Sequence, residues 1–177
     1  MPKYVAFLRA INVGGHTVKM DHLRNLFQAM GFSNVETFIA SGNVIFDSKS
    51  KNTKALESRI ECTLKDNLGY KVATFIRSVS ELAAVARYKP FDDCEADGNV
   101  LYVGFVADIP GDESKQRLLS FISEVDDFHI YGREVYWLSR KKLGASDFPG
   151  AKFEKILGMP ATLRNANTVV KIALKYS

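Results

Sequence analysis

Val35-Glu36-Thr37-Phe38-Ile39-Ala40-Ser41-Gly42-Asn43-Val44-Ile45-Phe46 sets two β-rich runs on either side of a small polar turn, Ser41-Gly42-Asn43. Branched and aromatic residues flanking serine, glycine and asparagine read as a β-hairpin, because glycine and asparagine take the backbone angles that a tight reversal needs. Working outward, Met20, Leu23, Leu26, Phe27 and Met30 recur at three- and four-residue steps. That is the stripe of an amphipathic helix, with Gly31 as its C-terminal cap. Before it, Tyr4 to Ile11 is a β-rich run broken by Gly14-Gly15-His16. After the hairpin, Leu56, Ile60, Leu64 and Leu68 mark a second helix closed by Gly69, and Val72 to Ile76 is a fourth strand. The order over residues 4–76 is β-α-β-β-α-β, the split βαβ or ferredoxin-like arrangement, with two helices on one face of a four-stranded antiparallel sheet.

The second half repeats much of this pattern. Ser78-Val79-Ser80-Glu81 is a capping box that opens a helix through Leu82 and Val85, and Pro90-Phe91-Asp92-Asp93 ends it. The acidic stretch Asp92 to Asp97, closed by Gly98, reads as an exposed loop between halves. Val100 to Val106 is a strand, and Leu118, Leu119, Ile122 and Val125 mark a helix. Phe128 to Tyr131 and Glu134 to Leu138 form a hairpin about Gly132-Arg133. Phe153, Ile156 and Leu157 mark a short helix ending at Gly158, and the last helix runs from about Ala166 to Tyr176. The segment Ser41 to Ser48 aligns with Tyr131 to Ser139 once one residue is inserted, which points to a duplicated unit. The expected fold is α+β: two ferredoxin-like (βαββαβ-type) units, the second incomplete and ending in helices. Residues 1–78 form the first unit, 79–98 a linking helix and acidic loop, and 99–177 the second unit.

A chain of 177 residues buries enough surface, roughly 70% of what it exposes unfolded, to need no disulfide or metal staple. Its 46% apolar and 25% charged residues exclude disorder, collagen-like repeats and a disulfide-framed mini-protein. No apolar run approaches the ~18 residues of a membrane span. The apolar N-terminal stretch is too short for an export signal and is interrupted by Arg9. The expectation is a soluble cytoplasmic protein, away from the membrane, with Cys62 and Cys94 as free thiols. Charge is segregated: net +5 over residues 1–78, −7 over 79–132 and +6 over 133–177. Basic ends around an acidic middle either attract each other across a solvated surface or build an anion-binding face.

Candidate ligand residues follow from these patterns. The loop Arg9-Ala10-Ile11-Asn12-Val13-Gly14-Gly15 joins a strand to a helix, so Asn12, Gly14 and Gly15 either make a tight turn or present N–H groups to an anion. The spacing is neither that of a P-loop nor that of a dinucleotide fingerprint. Arg9 alternates with Val5, Phe7 and Ile11, so it shares their apolar strand face and should be buried and paired with a carboxylate or an anion. Arg77 ends the fourth strand. In a ferredoxin-like strand order, Arg77 and the turn holding Ser41 and Asn43 share one edge of the sheet, with Asn12 and Gly14 at the opposite edge. The richest polar cluster is Thr162-Leu163-Arg164-Asn165-Ala166-Asn167-Thr168-Val169-Val170-Lys171. Asn165 is a good N-cap there, and Arg164, Asn167, Thr168 and Lys171 add more polar groups than capping needs, which suits a phosphate or carboxylate.

Conventional catalytic sets are missing. His16, His22 and His129 lack metal-ligand spacing, no serine sits in a nucleophile elbow, and no carboxylate pair stands out. No metal and no cofactor is expected, and the residues leave enzyme against binding protein open.

Leu8-Arg9-Ala10-Ile11-Asn12-Val13-Gly14-Gly15, Ser41-Gly42-Asn43-Val44, Gly132-Arg133-Glu134-Val135-Tyr136 and Arg164-Asn165-Ala166-Asn167-Thr168-Val169-Val170-Lys171 together resemble a bacterial family catalogued as domain of unknown function 1697. The resemblance runs over nearly the whole chain in the same order. It departs where Ala10 replaces a usual glycine and where Ala166 replaces a frequent aromatic. The resemblance implies a pair of ferredoxin-like α+β units and implies no activity. The functional expectation is therefore binding of a small anionic ligand (phosphate or carboxylate) or a nucleotide. The alternatives are an enzyme acting on an anionic substrate in the same pocket, or a nucleic-acid or protein interaction module.

Overall fold

The structure is a computed structural model that describes residues 1–11, 15–39 and 42–177. The chain forms two compact units, Met1–Leu82 with Tyr176–Ser177, and Ala83–Lys175. The described residues make an α+β protein with two four-stranded antiparallel sheets and six α-helices.

In the first unit β1 (Lys3–Leu8), α1 (Met20–Ala29), β2 (Ser33–Thr37), β3 (Asn43–Asp47), α2 (Thr53–Leu68) and β4 (Thr74–Ser78) follow one another, and the strands lie in the order β2-β3-β1-β4. The helix stripes explain the layering. Leu23, Leu26 and Phe27 of α1 and Leu56, Ile60 and Leu64 of α2 share one core with Tyr4, Ala6, Leu8, Val44, Phe46 and Ile76 of the sheet. Val5, Phe7, Ile45, Phe75 and Arg77, on the other face of the sheet, are buried as well. β4 is an edge strand, and α2 covers its outward backbone. The Glu57 and Glu61 carboxylates accept the N–H groups of Ile76 and Thr74, each at 3.0 Å. Glutamates four apart on the helix thus meet residues two apart on the strand, which removes an edge open to further pairing. α3 (Val79–Arg87) opens on the capping box. The Ser78 hydroxyl accepts the Glu81 N–H at 3.1 Å, and the Glu81 carboxylate accepts the Ser78 N–H at 2.8 Å.

The second unit contains β5 (Asn99–Val106), α4 (Asp112–Leu119), β6 (Asp126–Tyr131), β7 (Glu134–Arg140), α5 (Phe153–Leu157), β8 (Ala161–Asn165) and α6 (Ala166–Tyr176), with strand order β6-β7-β5-β8. This corrects the expectation of an incomplete unit ending in helices. A fourth strand is present at Ala161–Asn165, and α6 follows β8 as α3 follows β4. The strand is short, and its partner β5 lies some sixty positions earlier, so no local pattern reports it. The helix read through Ile122 and Val125 also stops earlier, at Leu119. Phe128, Val135, Phe148, Phe153, Leu157 and Leu118 form the core of this unit. Beside it the buried Asp126 carboxylate accepts from Trp137 Nε1 at 2.9 Å and from the Ser146 hydroxyl at 2.7 Å.

The acidic segment 92–97 is held down within this unit. Arg140 donates to the two Asp93 carboxylate oxygens at 2.6 and 3.2 Å and reaches Asp127 at 3.3 Å. Asn99 Nδ2 donates to the Asp93 carbonyl at 2.8 Å, and Lys142 pairs with Asp97. The Arg140 hydrogen bonds hold the Asp93 carboxyl below its ordinary range. A depressed folded pKa contributes stability above the unfolded value, and the contribution is lost as pH falls through the folded one. Asp93 is 42% exposed, so the gain is no more than about 1 kcal/mol. Asp93→Asn should therefore be slightly less stable than the parent at pH 6 in urea unfolding, and the gap should close as pH is lowered toward 2. A gap independent of pH would show that the ion pair contributes nothing.

No helix among the described residues is long and apolar enough to cross a membrane.

Candidate functional site

Within the second unit four stretches of chain enclose a cavity of about 350 Å³. The end of α3 and the residues after it supply Ala86, Tyr88 and Lys89, the acidic segment supplies Cys94 and Glu95, β5 supplies Asn99, Val100 and Leu101, and the start of α6 supplies Asn165, Ala166, Asn167 and Val170. The helix start is built as a cap, with Asn165 Oδ1 accepting the Asn167 N–H at 2.9 Å. Tyr88 is fixed from behind. Its hydroxyl shares a 2.6 Å hydrogen bond with His129 Nε2, and its ring stacks on Tyr131 with centroids 4.5 Å apart. Lys89 and Glu95 pair at 3.1 Å, both well exposed. Burial pushes the Cys94 thiol up, and its Sγ donates to the Phe91 carbonyl at 3.0 Å. The cavity therefore offers amides, one ammonium, a helix N-terminus and an aromatic and aliphatic wall.

Of the residues singled out in the sequence, Asn165 and Asn167 line this cavity. Thr168 and Lys171 follow on α6 outside its wall, half-buried and exposed respectively. Arg164 is not on the helix. It lies in β8 opposite Val103, is buried, and donates to Thr162 Oγ1 at 2.7 Å and to the Leu163 carbonyl at 3.1 Å. Burial lowers its pKa to about 10. Arg164 therefore does not share a helical side with Thr168 and Lys171.

The remaining candidates belong to the first unit. β1 ends at Leu8 and Ala10 has a positive φ of 51°, so the alternation that placed Arg9 on the apolar face stops before it. Arg9 is half-buried, and the fully buried arginine of this sheet is Arg77, which donates to the Ile76 carbonyl at 2.9 Å. Of the expected split between sheet edges, only the part on described residues can be compared: Asn43 is on β3, inside the sheet, and Arg77 is on β4, at its edge. β1 is a central strand beside β3, so the chain leaving β1 abuts the turn entering β3. Leu8 N–H donates to the Gly42 carbonyl at 2.8 Å, and Arg9 N–H to the Ala73 carbonyl at 2.9 Å. Tyr70 donates to the Ile11 carbonyl at 2.8 Å, and His16, next to Gly15, stacks on the Tyr70 ring at 3.8 Å. Asn43, buried, donates to the Phe38 carbonyl at 2.9 Å at the same end of the sheet. Arg77 faces Val5, three residues back along β1, toward the other end. Asn12, Gly14 and Ser41 lie outside the described residues. Among the described residues no group of His, Cys, Asp or Glu is placed to hold a metal ion.

Tyr88, Lys89 and Asn99 were not among the sequence candidates. The signal for the first two is Pro90, which stops the preceding helix and leaves Tyr88 and Lys89 at its end. The convergence of that end with α6 is tertiary and has no local signature.

A family model described as protein of unknown function (DUF1697) matches residues 1–136. No curated protein matches the chain. Among solved structures, the chain is similar to the conserved bacterial protein SP0830 from Streptococcus pneumoniae. The TM-score is 0.75 and the identity 21%, over 99% of this chain and 98% of that one. At that identity the likeness bears on the fold alone.

Proposed function

The chain belongs to the DUF1697 family, whose description assigns no activity, and we propose that it binds a small anionic ligand of the nucleotide type in the cavity at the start of α6. The observation that carries this reading is that one cavity of about 350 Å³, within the usual range for ligand pockets, joins two different chemistries. Asn165, Asn167, Lys89 and the helix N-terminus suit a phosphate or carboxylate. Tyr88, Val100, Leu101 and Val170 suit a planar apolar body. The ligand's anionic group replaces Glu95 as the partner of Lys89. A cytoplasmic setting belongs to the same reading, supported by the two free cysteines.

The test is a thermal-shift and calorimetric screen of the full chain against inorganic phosphate, small carboxylates, nucleoside mono- and triphosphates and a single-stranded RNA. A nucleotide should raise the melting temperature, and added salt should weaken it. Lys89→Ala and Asn167→Ala should each weaken binding by about tenfold or more, roughly 1.4 kcal/mol. Lys171→Ala, on the same helix outside the cavity wall, should bind as the parent does. If no screened compound shifts the melting temperature, or if Lys89→Ala and Asn167→Ala bind like the parent, the reading fails. Preference for the RNA over every nucleotide moves the function to nucleic-acid binding, and turnover of a bound nucleotide moves it to an enzyme.

We also propose that the two units are copies of one ferredoxin-like βαββαβ unit, joined through residues 79–98. Supporting this, the strand orders β2-β3-β1-β4 and β6-β7-β5-β8 correspond one to one. A buried arginine also stands at the same register in each sheet, Arg77 opposite Val5 and Arg164 opposite Val103.

A further inference from the structure

A second cavity of the second unit, about 340 Å³, shares no lining residue with the first. It lies between the end of α4 with the turn after it, which supply Arg117, Ser120 and Phe121, and the stretch Lys152, Lys155 and Ile156 at α5. Its floor is apolar. The Phe121 ring stands edge-on to Phe148 at 5.5 Å yet is 37% exposed, and its neighbours Leu119 and Ile122 are 42% and 46% exposed. Of these three exposed apolar side chains, Phe121 lines the cleft. Its rim is cationic. Arg117 is held in place, with Nε donating to the Ile156 carbonyl at 2.8 Å and a 3.0 Å pair to the highly exposed Glu113. Lys152 and Lys155 are exposed, and among the described residues neither has an ion-pair partner.

We propose that this cleft docks an acidic peptide segment of a partner protein and seats one of its large apolar side chains. Apolar patches rimmed by charge mark protein docking surfaces, because the apolar contact holds the partner and the charges select and steer it. The sign of the rim fixes the partner's sign. The floor of Phe121 and Ile156 takes an apolar side chain, which a small inorganic anion does not carry. A short helix or extended segment with an aromatic or leucine between carboxylates satisfies both features.

The experiment is selection of a random twelve-residue peptide library displayed on phage against the full immobilised chain. The Lys152→Glu/Lys155→Glu double variant serves as the counter-target. Both lysines are exposed, so the variant should keep the parent's melting temperature, and that is checked first. Enriched peptides should carry net negative charge around one large apolar residue. As synthetic peptides they should bind the double variant at least tenfold more weakly in fluorescence anisotropy, and binding should fall with salt. Enrichment of neutral or basic peptides, no enrichment at all, or equal binding to the double variant overturns the proposal. Vesicles of phosphatidylserine are run in parallel. Flotation of the parent but not the double variant, without peptide enrichment, assigns the surface to anionic membranes and also overturns it.

Discussion

Phe46→Ala is expected to destabilise the chain by about 3–5 kcal/mol, the usual effect of emptying a buried aromatic site. Phe46 sits on β3 with no exposed surface. Its ring meets Phe32 at 4.5 Å, Phe27 at 5.7 Å and Tyr4 at 5.8 Å, so it joins a strand, a helix and the start of β2 in one aromatic cluster. Removing it deletes apolar contact to all three at once, and the neighbours, anchored on separate elements, cannot all move inward to refill the space. Since a domain's whole stability is about 5–15 kcal/mol, the loss should appear as a much lower denaturation midpoint in guanidinium with little change in slope. Phe46→Leu keeps most of the volume and should lose far less, within about 1.5 kcal/mol. Equal losses for the two variants would show that the site tolerates collapse and that the aromatic cluster is not what orders this core.

That core was readable from the chain because every part of it leaves a local signature. The stripe from Met20 to Met30, the turn before Val44 and the capping box at Ser78 each rest on contacts within a few residues. The failures occur where the deciding partner is distant. Ala161-Thr162-Leu163-Arg164-Asn165 reads as the approach to a helix, because Asn165 is a cap and the helix that follows is real. What makes those residues a strand is their pairing with Tyr102 to Val106. The arginines show the same limit. Arg9 continues an alternation whose strand has already ended and is half-buried, while Arg77 and Arg164 lie within strands and are buried. At the cavity the sequence supplied the α6 wall through its density of amides. Tyr88, Lys89 and Asn99 come from the end of a helix and from a strand whose convergence depends on the sheet.

The end of the first sheet leads to the second large effect, at Gly42. Its backbone has φ of +84°, and a Cβ there would come within 2.9 Å of Ile11 Cγ2, 3.1 Å of Leu8 Cβ and 3.3 Å of the Leu8 carbonyl oxygen. Two separate penalties follow for Gly42→Ala. The left-handed backbone disfavours any residue with a Cβ by roughly 1–2 kcal/mol. The contact distance forces apart the turn and the chain leaving β1, an overpacking effect of about 1–3 kcal/mol. Gly31→Ala separates them, because Gly31 has nearly the same φ, +89°, with nothing within 4 Å of the added carbon. Gly31→Ala should therefore show the backbone effect alone, about 1–2 kcal/mol, and Gly42→Ala about 2–5 kcal/mol in urea unfolding. The excess at Gly42 measures how closely the turn presses on Leu8 and Ile11, which also fixes the hydrogen bond from Leu8 N–H to the Gly42 carbonyl at 2.8 Å. If the two variants lose the same stability, the turn does not press on β1.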